Sequence, residues 1–191
     1  MSAVYVDSIK DKSNTKTLAT LSSSAVTMHS DVAFPAGHVL QCLSVAKTDD
    51  DFSTDSDTFV DITGLSVAIT PSSSSNKILI IADVALGTSA NHSGAIRISG
   101  GNATDYVGDT ASNRQRVAGV TTYADGGTIY DIISCTKIYL DSPATTSEVT
   151  YVVQASGMIN TVYVNRTGAH RDLATYDPVA CSSITVMEIQ V

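Results

Sequence analysis

The residue types able to do chemistry are present in this chain, but not in spacings that build a reactive centre. The histidines are His29, His38, His92 and His170, and no two are placed as metal ligands on one helix or hairpin would be. Cys42, Cys135 and Cys181 are odd in number and far apart, which argues against a CxxC zinc site and a disulfide framework. Each lies in or beside an apolar run, so buried, reduced thiols are expected. A G-x-S-x-G elbow, a G-x-x-x-x-G-K-[ST] loop and a G-x-G-x-x-G turn are all missing. The carboxylate pair of a glycosidase would be placed by the fold and not by spacing. However, the two glutamates, Glu148 and Glu188, both fall inside strand-like runs. The expectation is a protein that is not an enzyme and has no metal site and no cofactor.

Acidity is the strongest local signal. Asp49, Asp50, Asp51, Asp55, Asp57 and Asp61 follow one another without an intervening base, in a chain of net charge −8. The run has oxygen ligands enough for Ca²⁺ but lacks the glycine turn and distal glutamate of an EF-hand loop. It reads as a solvated loop that would also discourage edge-to-edge strand association. Nucleic-acid binding needs a positive footprint, and none is visible. No apolar stretch is long enough to cross a membrane. The start, MSAVYVDSIKDKSN, has no basic flank followed by an apolar run, so cytoplasmic synthesis without a secretory signal is expected. In that setting the acceptor patterns at Asn91, Asn102 and Asn165 mark polar loops only.

The elements that would position these residues are strands. Val and Ile number 35 against 9 Leu, and Ser plus Thr number 48; β-branched side chains favour pleated surfaces over helices. Residues 1–36 are Ser/Thr-rich, and VYVDSI offers one short strand with Val4, Val6 and Ile9 as its apolar positions. That segment has too few large apolar groups to fold alone and reads as an attachment arm. From residue 37 to 191, β-like runs recur with turn chemistry between them: HVLQCLSVA, TFVDI and LSVAIT split at Thr63-Gly64, then KILIIADVAL after Pro71 and four serines. GAIRIS, RQRVAGVTTY, a hairpin turn at Asp125-Gly126-Gly127, TIYDIISCTKIYL, VTYVVQASG, TVYVN and SSITVMEIQV follow. KILIIADVAL suits a central strand, and the last ten residues suit a strand tied into a sheet. The pattern predicts an all-β fold: an antiparallel β-sandwich of jelly-roll type with an extended N-terminal arm.

VDSIKDKSN, GHVLQ, ITPSSSSNKILI and SSITVMEIQV, in this order, resemble segments of a family of small virion proteins of tailed bacteriophages, marine ones especially. The resemblance implies a tail-fibre or head-fibre protein with a jelly-roll-like domain, assembled as a homotrimer and without catalytic residues. It places the protein in the virion, assembled in a bacterial cytoplasm and held to other tail or capsid proteins by its arm. Host adhesion would then fall to long polar loops. Residues 100–113 and 165–178 fit, with Asn102, Asp105, Tyr106, Asp109, Asn165, Arg166 and His170 as contacts to a surface glycan or protein. A capsid decoration protein, a free carbohydrate-binding module and a β-sandwich hydrolase are the alternatives.

Overall fold

The structure, a computed structural model, describes residues 8–10, 17–22, 25–28, 34–89, 93–103, 106–121 and 129–191. Val4, Val6, Asp105 and the Asp125-Gly126-Gly127 turn lie outside them. The chain divides into two compact units between His38 and Val39.

In the first unit, β1 (Ser8–Lys10), β2 (Thr17–Leu21) and β3 (Val26–Met28) form an antiparallel sheet in that order. Ser22 Oγ donates to the Ala25 carbonyl at 3.1 Å and accepts from Ala25 N at 3.0 Å, which closes the β2–β3 turn. The presumed arm therefore has a hydrogen-bonded ladder of its own. Ile9 lies on β1, half exposed.

The second unit contains β4 (Val39–Lys47), β5 (Ser53–Thr54), β6 (Val60–Ile69), β7 (Lys77–Thr88) and β8 (Ala95–Ser99). It continues with β9 (Gly119–Val120), β10 (Ile133–Asp141), β11 (Val149–Ser156), β12 (Val162–Val164) and β13 (Ser182–Ile189). One sheet runs β4-β13-β7-β10, with β12 and β5 extending it, and the other runs β6-β11-β8-β9. With short β5 and β12 set aside, the eight remaining strands in chain order give sheets 1-8-3-6 and 2-7-4-5. That is jelly-roll topology, all antiparallel. The described residues contain no α-helix.

β7 is the central strand its composition predicts. Ile81 pairs with both Ile138 and Thr185, so β10 and β13 occupy its two edges. Ile78, Ile80, Ala82, Val84 and Leu86 point inward and meet Ile96, Ile98, Tyr151 and Val153 of the other sheet in one core. TFVDI and LSVAIT, read as two strands, are one: Gly64 takes φ +82° and β6 continues through a bulge. β6 advances five residues from Asp61 to Ser66 where β11 advances two from Val152 to Gln154, and this odd excess shifts the apolar phase from Ile62 to Leu65, which mimicked a break in the sequence. Among its described residues, RQRVAGVTTY forms only the two-residue β9. Its start folds back on its own loop, with Arg116 Nε donating to the Gly108 carbonyl at 2.7 Å. Two of the three cysteines also depart from expectation: Cys135 is buried, but Cys42 faces outward on edge strand β4, and Cys181 is exposed just before β13.

Strand register gives the sandwich two distinct poles. Val39 pairs with Ile189, so the unit begins at the near pole, which also holds the Pro71–Asn76 turn, Gly100–Asn102 and Ser142–Glu148. The loops after β4, β7, β11 and β12 all emerge at the far pole.

Two buried carboxylates close the near pole, in a row that runs Gln41–Glu188–Ile78–Asp141 across the sheet. Glu188 accepts from Ser72 N and Ser72 Oγ, both at 2.7 Å, from Asn76 Nδ2 at 2.6 Å and from Gln41 Nε2 at 2.7 Å. Asp141 accepts from the Tyr151 hydroxyl at 2.6 Å, Ser142 N at 2.8 Å and Asn102 N at 3.2 Å. Burial, then the Asp141 carboxylate, pushes the Tyr151 phenol well above its ordinary value, so it remains a donor. Burial alone would raise the Glu188 carboxyl. The hydrogen bonds from Asn76, Gln41 and Ser72 outweigh it and hold the group below the ordinary glutamate value. Its stabilisation is therefore present above the unfolded-state pKa of about 4.3 and is lost as pH falls through the lower folded value. Glu188→Gln should lower the unfolding free energy at neutral pH by about 2 kcal/mol, because its amide faces donors. It should also flatten the acid limb of the melting-temperature profile. A change under about 0.5 kcal/mol in urea titration would contradict this role.

Candidate functional site

The far pole concentrates the exposed polar and aromatic groups of the second unit, and a buried asparagine holds it together. Asn165 follows β12 with φ 67°, a conformation asparagine tolerates better than most side chains. Its Nδ2 donates to the Lys47 and Asp49 carbonyls at 2.9 and 2.7 Å, and its Oδ1 accepts from Ser182 Oγ at 2.6 Å. Its backbone N donates to the Ala85 carbonyl at 2.9 Å. One residue thus ties the acidic loop, β7 and β13 to the segment that follows it. The acidic loop is solvated, as its composition implies, but anchored: buried Lys47 donates to Asp49, and to Asp51 at 2.7 Å, while both carboxylates stay exposed. Burial would lower the Lys47 pKa, but these carboxylates outweigh it and raise it.

The 165–178 loop is organised around Asp177. Its carboxylate accepts from Arg171 N at 2.8 Å, Leu173 N at 3.2 Å, Arg171 Nη2 at 3.2 Å and Thr167 Oγ1 at 3.3 Å. Burial opposes its ionisation, but the Arg171 and backbone hydrogen bonds prevail and hold Asp177 below the ordinary aspartate value. The Arg171 guanidinium lies 4.2 Å above the Tyr130 ring and 5.3 Å from that of Tyr176, and Arg166 lies 3.9 Å above Tyr163. Such Arg–aromatic stacks fix the guanidinium while leaving its edge accessible. Tyr130, Leu173, Tyr176 and Val179 are all well exposed beside them.

A second feature of the same pole is an open apolar groove of about 560 Å³, floored by Val117, Val120, Met158 and Ile159 and bordered by Asp57 and Arg114. Gln115 Nε2 donates to the Asp57 carbonyl at 2.9 Å and to Ser156 Oγ at 3.2 Å, which fixes one wall. Ile159 is 73 % exposed and adds to the apolar lining supplied by Val117, Val120 and Met158.

Of the residues singled out from sequence, Arg166 and His170 sit at this pole, and His170 Nδ1 is 3.9 Å from Asp50 Oδ2. Asn165 is there too, but fully buried, so its amide is internal scaffolding and cannot be a glycan acceptor. Asn102 belongs to the near pole, where its Nδ2 donates to the Ser142 carbonyl at 2.6 Å. Tyr106 stacks on Tyr139 at 4.4 Å, and Asp109 is exposed in the segment that climbs from Gly100 to β9. Sequence reading missed Arg171, Asp177, Tyr130, Tyr176 and the Met158-Ile159 turn. Residues 171–177, RDLATYD, hold one Arg, one Tyr and two Asp in no regular pattern, so no local signal marks them. The described residues contain no group of three or more His, Cys, Asp or Glu able to hold a metal ion. Asp177→Ala should raise hydrogen exchange at Arg171 and Leu173 at least tenfold while leaving β7 and β13 protected; unchanged exchange in the loop would refute its organising role.

No protein-family model matches this chain, and no curated protein matches it. Among solved structures, that of the infectious bursal disease virus Gx strain aligns over 89 % of this chain at 15 % identity, with a TM-score of 0.34. The crystal structure of the infectious bursal disease virus VP2 subviral particle aligns with the same coverage, identity and score. The chain spans 45 % of the length of each. The strand order, and not this likeness, assigns the jelly-roll fold.

Proposed function

We propose that this protein is a structural component of a phage virion: a trimeric fibre or projection. The N-terminal unit grips the particle, and the far pole of the jelly roll contacts the host surface. The observation that supports this reading most is the polarity of the second unit. Its first strand begins at a pole closed by two buried carboxylates, while the groove, the Arg–Tyr stacks and the acidic loop gather at the opposite end. A display module needs that separation of attachment from contact. The motifs resembling phage virion proteins agree with it. With three copies of a −8 chain, generic attraction to an anionic envelope is disfavoured. Contact with a surface glycan or protein would therefore rest on the apolar groove and the stacked arginines.

Antibody labelling of purified particles tests the placement: signal at the tail or a fibre is expected. Signal spread over the capsid shell would favour a decoration protein, and absence from particles would overturn the virion reading. The contact is tested separately by binding of the soluble chain to host cells. Ile159→Asp should weaken that binding at least tenfold while leaving the melting temperature within about 2 °C, since the side chain is exposed. Undiminished binding would remove the groove from the proposal.

A further inference from the structure

The outward face of the β4-β13-β7-β10 sheet carries an aliphatic surface that no other described strand of the second unit covers. Register aligns Leu140, Leu79, Met187 and Cys42 in one row and Ile138, Ile81, Thr185 and Ser44 in the next. Ile138 and Leu140 are 56 % and 45 % exposed. The only charges at outward positions of these strands are Lys77 and Asp83, and Asp83 is hydrogen-bonded by Ser134 and by Thr136 Oγ1 at 2.6 Å. The face is thus formally neutral on a chain of net charge −8.

The two edges of the same sheet are unprotected. Among the described residues the outer edges of β4 and β10 pair with no other strand. β4 presents no charge and no proline from Val39 to Ala46, and the one lysine of β10, Lys137, turns inward beside Gly119. Sheet edges that stay uncovered normally carry such guards.

We propose that this lateral face, with its flanking edges, is the contact between copies of this chain. A second copy is the occupant because two bodies of charge −8 repel, and this neutral face lets them meet without opposing carboxylates. Aliphatic rows with no fixed donors or acceptors are also compatible with their own kind. Four strands about 4.8 Å apart and nine residues at about 3.3 Å give roughly 600 Å² of projected face. That approaches the ~800 Å² per partner of a standard interface before the edges are added. A lateral contact also leaves both poles free. The proposal stands on this sheet alone, whether or not the protein is borne on a particle.

Native mass spectrometry of the full chain tests it. Wild type should be a multiple of 19.9 kDa, the double variant Ile138→Glu/Leu140→Glu should be a monomer with unchanged circular dichroism, and Ser66→Glu on the opposite sheet should assemble like wild type. A monomeric wild type, or an assembly that survives the double variant, would overturn the proposal. Should the double variant misfold, alkylation of the wild-type chain decides. Cys42 should react at least tenfold slower than exposed Cys181, and equal rates would rule the contact out.

Discussion

A single carboxylate draws the near pole of this jelly roll together. Glu188 sits on the strand that fills the sheet between β4 and β7 and is fully buried. Its four acceptor contacts come from three other parts of the chain: the edge strand through Gln41, and both ends of the serine turn through Ser72 and Asn76. Bare burial of an anion would be costly, and no ion pair to it occurs among the described residues. Directed hydrogen bonds alone make the site tolerable, and they do so only if all three segments are in place. The carboxylate therefore acts as a test of correct assembly: strand register off by one residue would turn Glu188 to solvent and leave the serine turn without its acceptor.

The same logic explains how much of the fold was readable in the residues. β7 was legible because its apolar run is long, and β13 because its alternation is unbroken. β6 was misread as two strands because a bulge at Gly64 shifts the apolar phase. β9 was overread because β-branched residues in 114–123 lie beside arginines that bond back to their own loop. The motifs ITPSSSSN and MEI stood out separately in the sequence, but the bond that joins them spans more than a hundred residues, and no local pattern announces it. The far pole was harder still. Asn165 and Asn102 are the short polar residues that loops usually display, yet tertiary hydrogen bonds turn one wholly inward and fix the other at the wrong end. Arg171 and Asp177 become noticeable only when Tyr130, forty residues earlier, is placed under the guanidinium.

Polar and apolar surfaces are divided by direction in the second unit. The near pole is sealed by internally satisfied acids, the far pole displays aromatic rings and a groove, and one lateral face is aliphatic and uncharged. Acidic residues are concentrated where two molecules standing side by side would be farthest from each other's core, and Lys47 and Asn165 hold their loop to the scaffold.

The position of β13 also dictates the order in which the molecule can be completed. Thr185 pairs with Ser44 on one side and Ile81 on the other, so β4 and β7 cannot bond to each other and must wait for a segment made about a hundred residues after β7. Until then the most apolar strand of the protein has one open edge. Closure at such long sequence separation is slow, and a nascent chain in that state can recruit a neighbour's strand into the vacant slot. A topology that ends by sealing its own centre thus leaves synthesis, and not the completed fold, as the stage at which this protein is most exposed to misassembly.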